Sequence, residues 1–206
     1  MIEHPILFTR PMVRATLAGI KTQTRRLIKE LPAQQYDEVG VESLDPSLWH
    51  FVYGSRAHSR RCPYGIPGEG LWGRETYMQQ PNASPRTPIY HADVPDLAEE
   101  RAAVRIAKRA GTKVPRWTPS IHMPRWAARL VLEVTRIRVQ RIHEITEADA
   151  LAEGVTKVGK RWEVEGIVAT PISAVDAYRA LWEYINGRGS WAANPWVWVV
   201  DYRWRE

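Results

Sequence analysis

Residues 195–205, PWVWVVDYRWR, alternate so regularly that an extended strand is the only regular element that fits them. Trp196, Trp198, Val200, Tyr202 and Trp204 share one face. The other face carries Val197 and Val199, then Asp201 and Arg203, apolar first and wet later. Residues 130–141 give a second, longer strand signal. Leu130, Leu132 and Val134 alternate in one phase and Ile137 and Val139 in the other, so the phase slips near Thr135, as it does at a β-bulge or barrel corner. Shorter strand signals lie at 6–9, read as a buried strand, and at 71–77.

Isolated helices separate these strands. Pro11 stands where a first turn begins, Met12, Ala15, Leu17 and Ala18 form an apolar stripe, and Gly19 supplies a left-handed stop. Thr146-Glu147-Ala148-Asp149 has capping-box form, and Gly154 closes the short helix it opens. Ser173 to Asp176 repeats the device. Val175, Tyr178, Leu181, Trp182 and Ile185 then fall on one side before Asn186-Gly187 ends the helix. Prolines at 115, 119 and 124 impose an extended path before the long strand. The expected class is α+β, a small mixed β-barrel with flanking helices. The 206 residues read as one domain with polar insertions at about 31–62 and 80–117. The first is read as an insertion or long loop, the second as carrying a charged, Ala-rich helix at about 96–110.

Composition narrows the partners. The net charge of +6 favours anionic ligands, with surface solubility as the plainer account, and 10 Trp against 2 Phe supply flat rings that stack on bases. The single Cys, Cys62, excludes an internal disulfide framework and points to a reducing compartment. His50 and His58 stand near it, but the remaining His are scattered and zinc-ligand spacing is missing. Neither a signal peptide nor a membrane-length apolar run is seen, so the expectation is a soluble, cytoplasmic protein that meets no membrane.

The chemistry-bearing residues crowd into LAGIKTQTRRL, 17–27. A Thr hydroxyl attacks only after a base takes its proton, and a Lys is that base only when neutral. Arg25 and Arg26 beside Lys21, together with burial, would lower its pKa and ready it to activate Thr24. A regular strand would put positions 21 and 24 on opposite faces, so the pair requires Lys21 to lie in the turn after Gly19. The plainer reading is a basic helix exit in water. Glu153 sits in the last turn of its helix, where a carboxylate opposes the dipole, so it wants a cationic partner or a role as an acid. Arg74 and Glu75 interrupt an apolar strand and stand as pocket-lining residues or a surface ion pair. His122 is either an acid–base group or a structural His between prolines.

The segments FTRPMVRATLAGIKTQTRRL, PGEGLWGRETY, ITEADALAEGV and NPWVWVVDYRW resemble, in that order, the ASCH family of PUA-like β-barrels, in the longer forms carried by bacteriophages and prophages. The resemblance covers roughly 5–30, 64–78, 118–156 and 172–204. It implies an amidohydrolase that removes the acyl group from N4-acetylcytidine with a Lys, a Thr and a Glu, which fall on Lys21, Thr24 and Glu153. Trp72 would then be a stacking face for the base, Arg26 a group near the oxyanion, and no metal or organic cofactor would be needed. The insertions have no counterpart in the compact amidohydrolases. The alternative is an RNA or single-stranded DNA-binding module, with nuclease activity as a variant. In it Arg10, Arg14, Lys21, Arg25 and Arg26 track phosphates and exposed Trp rings stack bases. A non-catalytic protein-interaction module is a third reading.

Overall fold

The computed structural model describes residues 2–31, 36–79, 87–94, 105, 109, 116–159, 161–164 and 173–205. Its centre is a five-stranded sheet of β1 (Glu3–Leu7), β2 (Gln23–Leu27), β6 (Gly70–Arg74), β9 (Leu130–Arg141) and β12 (Trp196–Trp204), ordered β1-β6-β9-β12-β2. The β1–β6 pair is parallel and the other three are antiparallel. The architecture is α+β. Among the described residues no ladder joins the edge strands β1 and β2, but Arg26 Nη2 on β2 donates to the Leu7 carbonyl of β1 at 2.6 Å.

The two faces of β12 explain why it sits inside the sheet. Trp198, Val200 and Tyr202 join Ile6, Val13 and Leu132 in one core. Val197 and Val199 join a second, covered by α2 (Glu147–Ala152) and α3 (Ala174–Asn186), where Ala150, Tyr178 and Trp182 pack. Both faces of one strand are therefore dry over its first half, and only an interior strand can be. On β9 the register against β12 jumps from Arg136–Asp201 to Val134–Tyr202, leaving Thr135 as the extra residue of a bulge.

Four expectations need correction. Residues 38–61 are not a loop but an antiparallel meander of β3 (Glu38–Val41), β4 (Leu48–Tyr53) and β5 (Arg56–Arg61). Its central strand lays Phe51 and Trp49 against Trp196 and Trp198. The run 71–77 is two strands. The chain breaks at Glu75, and β7 (Tyr77–Gln79) leaves the sheet to pair with β8 (Pro88–Tyr90). Around β1 the burial alternates, with Ile6 and Phe8 inside and Leu7 outside, so 6–9 is not buried throughout. Ile185 is half exposed, and the buried stripe of α3 is Ala174, Ala177, Tyr178 and Trp182. The helix expected at 96–110 lies outside the described residues, except that Arg105 and Arg109 are helical and exposed. A short antiparallel pair joins β10 (Thr156–Val158) to β11 (Arg161–Glu163). No helix among the described residues is long and apolar enough to cross a membrane.

Gly73 shows how closely β6 and β9 approach. A Cβ there would stand 2.7 Å from Cβ and Cδ1 of the fully buried Leu130. Gly73→Ala is expected to lose about 1–3 kcal/mol in urea unfolding. Gly40→Ala, in the meander with open space around it, should cost almost nothing by comparison. Equal losses at the two positions would refute the packing account.

Candidate functional site

The site begins where α1 (Arg10–Leu17) ends. Gly19, at φ 71°, lets Ile20 N–H return to Ala15 O and its own N–H to Thr16 O, the paired bonds of a Schellman stop. Lys21 follows before β2 begins at Gln23, so it lies in the turn. Thr22 holds the turn down from two sides, donating to Ala152 O at 2.8 Å and accepting from Tyr202 N–H at 2.9 Å. Gly154 passes so near that a Cβ would lie 3.4 Å from Lys21 Cβ, and its φ of 101° suits glycine alone. The end of α2 is thereby held against Lys21.

Lys21 is 2% exposed and its ammonium donates three bonds: to Glu153 Oε2 at 2.6 Å, Gln23 O at 2.8 Å and Glu153 O at 2.9 Å. Burial pushes its pKa down, the Glu153 carboxylate pulls it back up, and Arg26 and Arg25 add to the lowering. The three acceptors account for all three protons of the charged form. Glu153 thus has the cationic partner that its place at the C-cap of α2 called for. Its other oxygen lies 3.5 Å from the Tyr178 hydroxyl and 3.7 Å from Arg25 Nη1.

A polar network on the helix-covered face of β2 backs this pair. Arg25 Nη2 meets Asp149 Oδ2 at 3.0 Å and also reaches Gln23, whose amide donates to Asp149 at 3.0 Å and Asp201 at 2.5 Å. Burial opposes ionisation of Asp149. Hydrogen bonds from Gln23 and Thr146 and the charge of Arg25 outweigh it and hold the carboxyl well below its ordinary range. Sequence reasoning missed Gln23, Asp149 and Tyr178. Asp149 was hidden by its capping role, which it does fill, accepting from Thr146 N–H while its own N–H bonds the Thr146 hydroxyl. Asp201 could have been found, because it is the polar step that ends the apolar face of β12.

Two cavities meet at Glu153. The larger, about 220 Å³, is walled by Pro11, Met12, Ala15, Val164, Leu181 and Ile185, with Lys21 and Glu153 among its few polar groups. The smaller, about 60 Å³, is more polar, with Thr24, Arg25, Arg26, Tyr178 and Asn186 beside Glu153. Lys21 and Glu153 are brought together directly. No hydrogen bond joins Thr24 to Lys21; Thr24 lines the smaller cavity, on the β2 face opposite Gln23 and Arg25.

The other named residues disperse. Arg10 donates to Val94 O, and Arg14 to Ala92 O at 2.7 Å and Val94 O at 2.6 Å, so both tie α1 to the 91–94 segment. With Lys21 and Arg25 buried and paired as well, the five-residue phosphate patch does not form. Trp72 is on β6, two strands removed from β2, lies under Arg74 at 5.4 Å and lines neither cavity. Glu75 is buried and takes a bidentate contact from Arg129 at 2.9 and 3.1 Å, so it is not a surface pair, and it lines neither of these two cavities. His122 is exposed and lines neither cavity. Cys62 is buried, and burial pushes its thiol up to about 12, so it is no nucleophile at neutral pH.

Comparison with protein-family models, with curated proteins and with solved structures finds no match to this chain.

Proposed function

We propose that this chain is an ASCH-type, PUA-like domain that removes the acyl group from N4-acylated cytidine or cytosine, with Lys21, Thr24 and Glu153 at the reacting centre. One observation carries the reading: a buried amine and carboxylate, 2.6 Å apart, stand where an apolar cavity and a polar cavity meet. Buried charges add little net stability compared with apolar packing, which makes a pair on a cavity wall a candidate for chemistry. The near approach of β1 and β2 through Arg26 and Leu7 supports a sheet curled towards a barrel.

The proton accounting is simple. Transfer along the 2.6 Å contact gives a neutral amine beside a carboxylic acid. Thr24 Oγ1, or a water held beside it, attacks the acyl carbonyl and yields its proton to Lys21 through an intervening water. Glu153 delivers its proton to N4 as the C–N bond breaks, leaving the ion pair. Attack by water releases the carboxylic acid directly, whereas a Thr24 ester is hydrolysed by a second water, which returns a proton to Thr24 Oγ1 by way of the Lys21–Glu153 pair. The apolar cavity would receive the acyl chain and the polar one the ring.

The test is hydrolysis of N4-acetylcytidine followed by absorbance. Glu153→Gln keeps the size and an acceptor for Lys21 but cannot pass a proton, and is expected to lose about 10²–10⁴-fold in kcat/KM with its circular dichroism unchanged. Thr24→Ala separates attack by Thr24, which it abolishes, from attack by water, which it only weakens. Because the nucleoside is uncharged, turnover should vary little with salt. A wild-type protein inert towards every N4-acylated cytosine would end the proposal.

A further inference from the structure

The small cavity beside Glu153 carries more hydrogen-bond donors than the fold uses. Among the described residues eight buried side-chain polar atoms have no partner, and three of them, Arg25 Nε, Arg26 Nε and Trp182 Nε1, belong to residues of its wall. Arg26 is shared with a wider cleft of about 580 Å³ between the edges of β1 and β2. Arg25 and Trp182 are not, and they are only 4% and 3% exposed. Both orphan atoms are donors alone, since neither an indole nor a guanidinium N–H can accept. A buried donor without an acceptor costs free energy, and native proteins rarely keep one without a reason. Packing does not supply the reason at position 182. Trp182 stands on α3 among Ala150, Tyr178 and Val199, where a phenylalanine ring would strand no polar atom. The nearby acceptor is already engaged: Glu153 takes Lys21 at one oxygen and meets Tyr178 and Arg25 at the other.

We infer that Trp182 Nε1 and Arg25 Nε read the edge of the cytosine ring next to N4, and thereby set the base preference of this site. The identity of the ligand rests on the proposed hydrolase reading. With N4 at Glu153 and the acyl group in the apolar cavity, the next ring atoms are N3 and then the 2-carbonyl oxygen, both acceptors. The Arg25 guanidinium lies 3.7 Å from Glu153, so it takes N3. Trp182 has no contact with Glu153 among that residue's hydrogen bonds and ion pairs, and takes the more distant oxygen. An N6-acylated adenine in the same pose offers a ring nitrogen to Arg25 but a C–H to Trp182. A uracil-like ring sets its own N–H against Arg25. Either ligand leaves a buried donor stranded, which is the steep form of discrimination.

The experiment changes the protein and the ligand together. N4-acetylcytosine and 4-acetamidopyrimidine share the amide and the ring nitrogens and differ in the 2-oxygen. Their kcat/KM values are compared in wild type and in Trp182→Phe. The variant should lose about tenfold towards N4-acetylcytosine and little towards 4-acetamidopyrimidine, so the ratio of the two falls about tenfold. Equal losses on both substrates are what a disturbed core would give, and would overturn the inference. Calorimetry with the amine products needs neither turnover nor the variant: wild type should bind cytosine about tenfold more tightly than 4-aminopyrimidine. Equal affinities would overturn the inference and leave the hydrolase reading standing. Tight, oxygen-dependent cytosine binding without any turnover would support the assignment while ending the hydrolase reading. Neither binding nor turnover of cytosine compounds would end both.

Discussion

Lys21→Met is expected to destabilise the fold by about 3–5 kcal/mol at neutral pH, the cost of leaving one partner of a buried pair uncompensated. The substitution keeps the length of the side chain and removes its charge. Glu153 then has only the Tyr178 hydroxyl at 3.5 Å and Arg25 at 3.7 Å, and Arg25 is already engaged by Asp149 and Gln23. Two backbone carbonyls, Gln23 O and Glu153 O, lose a donor as well. The informative companion is Lys21→Met with Glu153→Leu, which removes both charges and should recover most of the loss. Urea unfolding of the wild type, the two single variants and the double variant closes a cycle whose coupling energy isolates the pair. A loss below about 1 kcal/mol for Lys21→Met would mean that the pair is not buried in its ionised form. A double variant as stable as wild type but unable to hydrolyse N4-acetylcytidine would show charges kept for chemistry rather than for folding.

What was legible in the sequence is what local periodicity encodes. The two faces of β12, the bulge at Thr135 and the caps at Thr146 and Ser173 depend on neighbours within a few residues, and each is present. The Lys21–Glu153 pair spans 132 residues, yet each half left a local trace: a basic turn after a glycine, and a carboxylate at the wrong end of a helix. The meander left almost none. β5 reads RAHSRR and carries no apolar face of its own; Phe51 on the neighbouring β4 supplies the buried side. Alternation in one strand cannot reveal a sheet whose core belongs to another.

Distance across the sheet was also illegible. Parity placed Trp72 on one face of its strand, but only the order β1-β6-β9-β12-β2 shows that two strands separate it from β2. The basic residues show the same limit in another form. Arg10 and Arg14 look like Arg26 in composition, and all three dock on backbone carbonyls, yet Arg10 and Arg14 clamp the 91–94 segment while Arg26 also walls a cleft. Charge can be counted along a chain, but whether a cation meets a carbonyl, a carboxylate or open solvent is decided by the fold.

The second large effect is expected at Arg129. This guanidinium grips Glu75 and Asp93 bidentately and lies 4.0 Å from the Tyr90 ring, holding the 88–93 segment to the break between β6 and β7. Burial pushes the Glu75 pKa up, and the Arg129 contacts pull it part of the way back. Arg129→Met removes the opposing pull and leaves a carboxylate buried without its cation, a loss of about 3–5 kcal/mol at neutral pH. Its pH dependence has a definite sign. The folded-state pKa of Glu75 already lies above the ordinary glutamate value, and the substitution raises it further. The unfolded chain then releases the proton at lower pH than the folded one, so the folded variant loses stability as pH rises through that raised pKa. Conversely, the deficit against wild type should shrink as pH falls towards 4.5, where Glu75 is neutral in the fold. Asp149 gives the opposite slope in both proteins, since its depressed pKa adds stability that is lost as pH falls below the ordinary aspartate value. The two effects therefore separate in urea unfolding of wild type and Arg129→Met between neutral pH and pH 4.5. A deficit constant over that range would mean that Glu75 does not carry the charge Arg129 was placed to balance.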